Sequence, residues 1–523
     1  MLTPLSGPKK VTAPELHELL AALSLAGDAA NGLPFETSLR TCGIALQLAE
    51  ALGMDGAARD VVWQASVLRF LGCTAYAHEE FAAFGGSDVE TRRVFDGVEP
   101  GRLSTTLRAT WAAMEGTRSA KLRQGARLLG QAETLRQGLA TSACDVGRRL
   151  ADRLGMRSGV SLALAQLYER WDGGGSPDGT TAEQTSLPAR VLHVACVFES
   201  VQRRLGAAAA IGELRRRSGH HLDPTVVEAC ERVCGEIERA LDPPSLWSAT
   251  LGTAPATPAE TSVDALTAVL ADFVDLKAPH AMGHSRRVAD LAARAAEELG
   301  LDADPCTRLR HAGRVHNLGH IAIGNDVWEQ PGSLSSSQWE LVRLHPYHGS
   351  RILKRSDVLR PFASLTAAHH ERLDGSGYPN ELLAHDLPLA VRVLSAADVY
   401  AALREPRPCR ARRDKAEAAR TLEAEAEAGR LDVRAVQAVL AVSGSAARRL
   451  APPCGLSDRE VEVLTHVAQG ASNKVVAERL GISPKTVQHH VRHIYDKANV
   501  RSRAAIALFA IEHGLLHLGA DDA

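Results

Sequence analysis

The sequence is poor in aromatic residues, which make up 4% of its 523 positions. All-β chains of this length need more aromatic and β-branched side chains, whereas helical cores can be built from Ala and Leu, so an all-α fold is predicted. No apolar run approaches the roughly 18–20 residues that a membrane-spanning helix requires. The first ten residues also lack the apolar stretch of a secretion signal. We therefore expect a cytoplasmic protein with no membrane partner.

Cysteine is scarce and the net charge is small. The nine cysteines are scattered along a chain without a secretion signal, which argues against a disulfide framework. The formal charge of −2 excludes a protein that coats nucleic acid with a globally basic surface. It does not exclude a local basic face, because a total says nothing about how charge is distributed. The length predicts about three domains.

Two segments rich in Pro, Ser, Thr and Ala divide the chain. They are residues 242–262 and 443–455, and both have the composition of linkers. We therefore expect three domains, over residues 15–241, 263–442 and 456–517.

The first two domains are diverged copies of each other. Near their ends, ERWDGGGSPDG from Glu169 matches ERLDGSGYPNE from Glu371, at an offset of 202 residues. Near their starts, the segments that begin at Ser38 and Ser285 match at an offset of 247. Apolar residues recur in the matched segments at a spacing of three or four, which predicts helices. The shared D-G-x-G-x-P pattern predicts a turn between helices.

Histidine is unevenly distributed, since ten of the 21 histidines lie between His280 and His385. Imidazole and carboxylate groups at separated chain positions are what a transition-metal site uses, and a helical fold can bring them to one cavity. Any one of these histidines alone is better explained as a core or surface residue, and only the set indicates a site. The candidate metal ligands are His284, His316, His345, His369, His370 and Asp398.

These residues lie in GHSRRVADLA, HNLGH, LHPYHGSRIL, HHERLDGSGYP and AADVYAAL, which follow the order found in HD-GYP phosphohydrolases. The second domain resembles that family. The resemblance implies a helical HD fold, a site for two or three iron or manganese ions, and cyclic di-GMP as the usual substrate. It implies that the six candidates are the ligands and that Glu371 and Asp374 orient histidines. Gly377, Tyr378 and Pro379 would lie at the substrate mouth, although the same loop alone would be interpreted as a plain turn.

Three positions depart from the family pattern. The His-Asp pair is here His316 and Asn317. A carboxylate can bridge two cations and offset their charge, whereas a neutral amide oxygen is a poorer ligand and offsets none. The family lysine four residues after that histidine is His320, which would bind substrate phosphate more weakly. His280 stands where some members have a metal-binding glutamate; it would either pair with His284 on one helix face or face solvent. We expect one bound metal or partial occupancy, with slow or absent hydrolysis.

The first domain has lost the candidate ligands altogether. It resembles a degenerate HD domain kept for packing, ligand sensing or dimerisation, and we expect it to bind no metal. The residues at the matched positions are Thr37, Arg69, Phe70, Leu167, Tyr168 and Cys196.

The third domain carries the signals of a helix-turn-helix. Ser457 and Glu460 form a capping-box pattern that opens the first helix. The second helix is predicted over residues 473–480, the third from 484 to about 499, and the fourth over about 502–514. A short glycine-containing turn joins the second helix to the third, which is typical of a helix-turn-helix.

This segment resembles the LuxR/NarL-type DNA-binding domain across about 60 residues, through SDREVEVL, SNKxVAxxLxIS and KTVxxHVxxIxxK. The resemblance implies that the third helix enters the major groove of double-stranded DNA and that the protein acts as a homodimer. Residues 483–503 have a net charge of +4, which suits phosphate contacts. The predicted base or backbone contacts are Lys485, Thr486, His489, His490 and Arg492. The predicted phosphate contacts are Lys474, Lys497, Arg501 and Arg503.

Three functions fit this organisation. The first is a transcription regulator whose tandem HD domains sense a ligand, such as a cyclic dinucleotide, at a weakened metal site. The second is a metal-dependent phosphodiesterase with a DNA-binding tail, and the third is an interaction scaffold. Asn317 and the degenerate first domain favour the regulator over the enzyme. The retained histidines and the Gly-Tyr-Pro loop argue against the scaffold.

Overall fold

The computed structural model describes residues 11–99, 102–255, 261–444, 453–513 and 515–516. These residues form α-helices, short 3₁₀ helices and isolated β-bridges, with no strand among them, which confirms the predicted all-α fold. No helix in the described segments is long and apolar enough to span a membrane. The chain forms two compact units, Met1–Ser262 and Val263–Ala523.

Helices of the first unit enclose a core of Leu, Ala and Val side chains around the buried indole of Trp63. The described helices are α1 (Ala13–Ala30), α2 (Thr37–Ala51), α3 (Gly56–Leu68), α4 (Ala77–Phe84), α5 (Asp88–Phe95), α6 (Leu103–Ala113), α7 (Arg118–Arg153), α8 (Ser158–Ala165), α9 (Leu187–Leu205), α10 (Ala207–Arg217), α11 (Pro224–Arg232), α12 (Cys234–Ala240) and α13 (Leu246–Gly252).

The short helix α13 lies inside the segment predicted as the first linker. The indole Nε1 of Trp63 donates a hydrogen bond to the carbonyl of Thr250 at 3.0 Å, which attaches α13 to the core of the first unit. This part of the segment is therefore packed structure, because burying the indole requires an acceptor for its N–H. Residues 256–260 of the same segment, and residues 445–452 of the second one, lie outside the described residues.

The second unit contains the remaining helices. They are α14 (Val263–Asp275), α15 (His284–Glu298), α16 (Ala303–Val315), α17 (Asn325–Trp328), α18 (Ser336–Leu353), α19 (Arg360–Ala368), α20 (Leu389–Leu403), α21 (Lys415–Glu427), α22 (Val433–Ser443), α23 (Asp458–Ala468), α24 (Asn473–Leu480), α25 (Pro484–Ala498) and α26 (Arg503–Glu512).

Buried hydrogen bonds repeat between the two copies. The carboxylate of Asp28 accepts bonds from the backbone and hydroxyl of Ser38, and Asp275 accepts the same two bonds from Ser285. Burial raises the pKa of both carboxyls, to about 7 for Asp28 and about 6 for Asp275. The two copies therefore share buried polar pairs that an apolar pattern alone would not preserve.

Gly72 and Gly319 occupy matching positions in the two copies, and both are required because another backbone segment passes close by. A Cβ added to Gly72 would lie 1.9 Å from the carbonyl oxygen of Ala143, and one added to Gly319 would lie 1.9 Å from that of His345. No side chain fits at such distances, so glycine is required at both positions. In the second copy this close approach brings the segment after His316 against α18.

The four C-terminal helices begin where the sequence predicts. Ser457 and Glu460 form the capping box of α23, and Ser472 and Ser483 cap α24 and α25 through their hydroxyls. The fourth helix ends at Glu512, two residues before the predicted end. Residues 514 and 517 of the predicted domain lie outside the described residues.

Candidate metal centre and nucleic-acid interface

The structure brings the six predicted metal ligands together as two groups of three. In each group the ligand atoms all lie within 4.8 Å of one another. The first triad is His345, His369 and His370, and the second triad is His284, His316 and Asp398. These are the only such groups of three found among the described residues, and both lie in the second copy.

Backbone carbonyls hold three of the imidazoles in one orientation. Nδ1 of His316, His345 and His369 lies 2.6–2.7 Å from the carbonyl three residues earlier in the chain. A carbonyl can only accept, so Nδ1 carries the proton and Nε2 keeps its lone pair. Burial lowers the pKa of His345 to about 3 and holds that of His369 well below its usual value. The rings of His345 and His369 are therefore neutral, as metal ligands must be.

His284 differs from the other histidines because both of its nitrogens face carboxylates. Nδ1 lies 2.9 Å from Glu405 Oε2, and Nε2 lies 3.1 Å from Asp398 Oδ1. Burial by itself would lower the pKa of His284, but these carboxylates raise it to about 9. A cation bound between Nε2 of His284 and Asp398 would have to displace a proton from this pair.

The surroundings of His316 show whether the second triad can hold a metal ion. Its Nε2 is buried, faces Asp398 Oδ1 at 3.5 Å and makes no hydrogen bond. A buried nitrogen with a free lone pair costs free energy unless something binds it. Nitrogen and carboxylate donors of this kind suit a transition metal. The residues of the second triad therefore fit a divalent cation.

Two of the departures from the family pattern lie at the edge of this cluster. Asn317 is buried and lines a cavity together with His284 and His320. The ring of His320 lies against those of Trp328 and His345, with centroids 4.1 and 4.3 Å away. Burial lowers the pKa of His320 well below its usual value, so position 320 carries no cation.

Of the two alternatives for His280, the structure excludes the pairing with His284 on one helix face. Gly283 adopts a left-handed conformation (φ 71°) and α15 begins only at His284. His280 instead lies in the short 3₁₀ helix Pro279–Ala281, and it lines the same cavity. The two rings cannot share a helix face, because the glycine turns the chain between them.

The Gly-Tyr-Pro loop borders the first triad. Tyr378 stacks on His370 with ring centroids 4.8 Å apart, and the Tyr378–Pro379 bond is cis. Gly377 has no room for a side chain, since a Cβ would lie 2.4 Å from the nitrogen of Arg372. The loop is thus a tight turn that presents an aromatic ring to the histidines.

The expected orienting roles of Glu371 and Asp374 are corrected. The Glu371 carboxylate accepts the N–H groups of Asn380 and Leu382, while Asp374 accepts bonds from the backbone and hydroxyl of Ser376. No hydrogen bond joins either carboxylate to a histidine among the described residues. Both stabilise the loop, because the unpaired amides of a tight turn are their nearest donors.

Glu405 orients a histidine and was missed in the sequence. It follows α20 in REPRPCR, outside every histidine-containing motif, and its side chain is buried. Besides His284 it binds Arg287, with Nε at 3.0 Å. These cations lower the pKa of Glu405 to about 2 against the opposing effect of burial, so it is ionised. The only signal in the sequence was an acidic residue among arginines, directly after the helix that carries Asp398.

In the first copy an arginine occupies the matching site. Arg69 takes the position of His316, donates to Cys196 Sγ at 3.1 Å and lies over the ring of Phe70 at 4.2 Å. Cys196 takes the position of Asp398. The guanidinium therefore fills this site with its own positive charge.

The predicted recognition helix is α25. Lys485, Thr486, His489 and Arg492 are exposed on it, and His490 is half-buried. Val487 and Ile494 lie on the opposite, buried face. The base-contacting candidates thus share an accessible surface.

The four predicted phosphate contacts divide into two kinds. Lys474 and Arg501 are exposed. Lys497 donates to Glu460 Oε2 at 2.7 Å and to the carbonyl of Gly455, and Arg503 binds Asn473 and the carbonyl of Ala471. Lys497 and Arg503 therefore link separate segments of the domain through these hydrogen bonds.

Two family models match the chain. An HD-domain model matches residues 142–226, in the C-terminal part of the first copy, and residues 268–435, which make up most of the second. A model described as bacterial regulatory proteins of the luxR family matches residues 455–510.

Similar proteins include bacterial phosphodiesterases. A 3'3'-cGAMP-specific phosphodiesterase 3 of Vibrio cholerae is 27% identical over 409 residues, which is 76% of this chain and 88% of that protein. A cyclic di-GMP phosphodiesterase of Thermotoga maritima is 34% identical over 142 residues, which is 27% of this chain and 39% of that protein. The crystal structure of a cyclic GMP-AMP specific phosphodiesterase of V. cholerae matches with a TM-score of 0.57 and 22% identity, over 84% of this chain and 99% of that one. This last likeness shows the fold.

Proposed function

The chain is an HD-domain protein that ends in a DNA-binding domain of the luxR regulatory family, and we propose that it is a transcription regulator. Its second HD domain senses a cyclic dinucleotide at a weakened metal site, and the bound ligand changes how the C-terminal domain engages DNA. The protein acts as a homodimer on two half-sites. The first HD domain supports this assembly without binding a metal.

One observation carries the proposal: the loop between α14 and α15 borders both the cavity and the DNA-binding domain. His280 of this loop lines the cavity. Its neighbour Pro279 faces Gly470, where an added Cβ would lie 2.7 Å from the Cβ of Pro279. A Cβ on Gly283 would lie 3.9 Å from Cγ1 of Ile511 in α26.

A loop packed this closely on both sides provides a physical route for coupling. A ligand in the cavity can act on DNA binding only if its affinity differs between two arrangements of the protein. Moving Pro279 or Gly283 to admit a ligand would alter their contacts with Gly470 or Ile511. The ligand would thereby favour one position of α25.

The second triad would hold one divalent iron or manganese ion through His284, His316 and Asp398. The first triad, with three neutral histidines and no carboxylate, would hold a second ion less tightly. When bound, a metal supplies a Lewis acid for a phosphate oxygen and lowers the pKa of a coordinated water. The amide of Asn317 brings no charge to offset a second ion, so one ion or partial occupancy follows.

An active phosphodiesterase is the alternative function. It is favoured by the completeness of the two triads, whose six side chains keep the types that phosphoester hydrolysis needs. In that reaction Tyr378 would stack near the substrate, and the chain would cleave cyclic di-GMP or a related phosphoester. Asn317 and His320 argue against an ordinary rate, since neither supplies the charge of its family counterpart.

The test begins with the full-length protein and a random pool of DNA duplexes, from which bound sequences are selected. Fluorescence anisotropy then measures the affinity for the selected duplex with and without cyclic di-GMP or 3'3'-cGAMP, while chromatography follows turnover. The regulator is expected to bind a defined sequence, change its affinity with a dinucleotide, and cleave that dinucleotide slowly or not at all.

The variant Pro279→Gly is expected to remove the effect of the dinucleotide while DNA binding without it persists. Pro331→Gly, in an exposed loop of the same unit, is the matched control and should leave the coupling intact. Failure to enrich any sequence would contradict DNA recognition. Turnover at an ordinary enzyme rate, with no effect on DNA affinity, would support the alternative.

A further inference from the structure

Two histidines of the recognition helix α25 lie in contact on one face of the helix. His489 and His493 are four residues apart, which brings their side chains together one turn from each other. Their ring centroids are 4.1 Å apart. Two imidazoles at this spacing on a helix are a recurrent way of holding a transition metal in proteins.

The ring nitrogens of His489 are available to a ligand. The side chain is exposed, and among the described residues it makes a ring contact with His493 but no hydrogen bond or ion pair. A neutral imidazole keeps one nitrogen lone pair, which can bind either a hydrogen-bond donor or a metal. Water or a bound ion is therefore the partner that the fold leaves to this ring.

Glu460 faces His493 from the other side. Its Oε1 lies 3.8 Å from Nδ1 of His493, while its Oε2 accepts hydrogen bonds from Ser457 and Lys497. The glutamate side chain is only 5% exposed, whereas 42% of the His493 side chain is exposed. Metal-binding histidines commonly direct their second ring nitrogen towards a carboxylate, which orients the ring and makes the other nitrogen a stronger ligand. Nε2 of His493 is thus the nitrogen left for a metal.

The charges around the histidine pair tolerate a cation. Lys497 lies one turn beyond His493, but its charge is offset by the carboxylate that it binds. Asp496 is exposed three residues after His493 and adds a negative charge on the same side of the helix. Lys485 and Arg492 would repel an ion, but both side chains are exposed, where water and salt screen their charges.

The chemistry of the pair selects the ion and its effect. Imidazole nitrogens suit zinc, nickel and copper, and two of them leave two positions of a tetrahedral zinc ion for water. His489 is a predicted base or backbone contact in DNA. The nitrogen that it gives to an ion is no longer available to a base edge, so metal binding and sequence reading use the same atom.

We propose that His489 and His493 form a binding site for a divalent transition metal, and that its occupation competes with recognition of the DNA sequence. The inference rests on the proposed function for the role of α25. The site is distinct from the two triads, because its ligands belong to the C-terminal domain. It makes the recognition helix itself responsive to metal.

The first test counts zinc ions bound to the full-length protein by equilibrium dialysis and elemental analysis. His489→Gln and His493→Gln should each bind one zinc ion fewer per chain than the native protein, because the remaining imidazole holds zinc far more weakly by itself. His385→Gln removes a histidine that is 75% exposed in the HD domain, and it should leave the count unchanged. Circular dichroism checks that each variant is folded.

The second test compares the affinities for the selected duplex and for an unrelated duplex, by fluorescence anisotropy in EDTA and in zinc. The ratio of the two affinities is the readout, because the charge of a bound ion would strengthen binding to any phosphate backbone. Zinc should lower this ratio about 10-fold in the native protein, which is the effect of losing one base-edge contact. In His493→Gln the ratio should be the same in zinc as in EDTA. Asp398→Asn removes a ligand of the second triad and should keep the full effect of zinc.

The outcomes separate this inference from the function on which it rests. Equal zinc counts in the native protein and in both histidine variants would show that the site is wrong, while DNA recognition stands. A zinc effect that is lost in Asp398→Asn but kept in His493→Gln would place the responsible ion in the HD domain and overturn the proposal. Loss of an ion without any change in the ratio would overturn the competition with DNA. If the native protein prefers no sequence in EDTA, the proposed DNA recognition is wrong, and the zinc count alone decides the metal site.

Discussion

The guanidinium of Arg69 lies 3.1 Å from Cys196 Sγ, in the place where His316 and Asp398 face each other in the second copy. In one copy a side chain brings its own fixed positive charge to the site. In the other, a buried nitrogen and a carboxylate face each other with room for a cation. Two copies of one fold therefore carry different chemistry at the same buried polar position.

Replacing Arg69 with methionine should destabilise the protein without changing its metal content. The substitution removes the cation that faces the buried carboxyl of Asp28, whereas Glu199 keeps its ion pairs with Arg40 and Arg203. Losing one partner of a fully buried pair costs about 3–5 kcal/mol, and because Arg69 is only half-buried we expect about 1–3 kcal/mol. Urea unfolding measures this cost, and elemental analysis measures the metal. Arg136→Met, on an exposed part of α7, is the control and should change stability by less than about 0.5 kcal/mol. A metal gained by Arg69→His would contradict the view that the first copy cannot bind one.

Replacing Asn317 with aspartate should raise the metal content of the purified protein towards two ions per chain. The new carboxylate adds a charged oxygen ligand to the edge of the cluster and offsets the charge of a second ion. Elemental analysis gives the ratio, and hydrolysis of cyclic di-GMP is measured on the same sample. Asn380→Asp makes the same chemical change at an exposed position and should leave the ratio unaltered. If Asn317→Asp changes neither metal content nor hydrolysis, position 317 does not limit metal binding.

The double variant Lys485→Ala with Arg492→Ala should bind DNA at least 10-fold more weakly and with less dependence on salt. Each phosphate contact releases counterions, so losing two should reduce the slope of log affinity against log salt by about 1.8. Anisotropy titrations at several salt concentrations measure both quantities. Lys354→Ala, in the HD domain, should change neither. An unaltered affinity and slope in the double variant would rule out α25 as the recognition helix.

The ionisation of Glu460 should make the stability of the DNA-binding domain depend on pH in the acidic range. Burial would raise its pKa, but Lys497 and the cap formed with Ser457 lower it to about 2. Because the folded pKa lies below the unfolded value of about 4.3, the stabilisation is complete above that value and is lost as the pH falls towards 2. Since Lys497 is partly exposed, we expect a contribution of about 1–2 kcal/mol.

Thermal unfolding between pH 6 and pH 2.5 tests this contribution. Glu460→Gln should be less stable than the native protein at pH 6, and the difference should shrink towards pH 2.5. Glu462→Gln, on the exposed side of the same helix, should show a much smaller difference. A difference for Glu460→Gln that does not vary with pH would show that its ionisation is not the cause.

The helices and the repeat were predictable because their signals are local. Ser457, Ser472 and Ser483 begin helices through hydroxyls that accept from amides three residues away, and apolar spacing defines the buried faces. The six metal-ligand candidates could be named because their residue types and order resemble a family. Their grouping into two triads could not be predicted, because order along the chain does not say which rings face each other.

The predictions from sequence failed where a short segment changes direction, or where a buried charge binds a group that its sequence position does not indicate. Gly283 turns the chain before α15 and separates His280 from His284. Glu371 binds the amides of its own loop because they are nearer than any imidazole. Glu405 approaches His284 from 121 residues away. Such partners depend on how helices pack, and pattern alone does not give their distances.

By itself, the sequence determined the all-α fold, the duplicated HD segment, the helix-turn-helix and the set of side chains available for metal and DNA. Only the tertiary structure decided which of them meet: two triads, a His284 ring held between the carboxylates of Glu405 and Asp398, and a cavity lined by His280, Asn317 and His320. The physical reason is the separation along the chain between the groups that interact. Hydrogen bonds and apolar spacing within one helix are set by neighbouring residues, whereas a buried charge is stabilised only by groups that folding brings from distant parts of the chain.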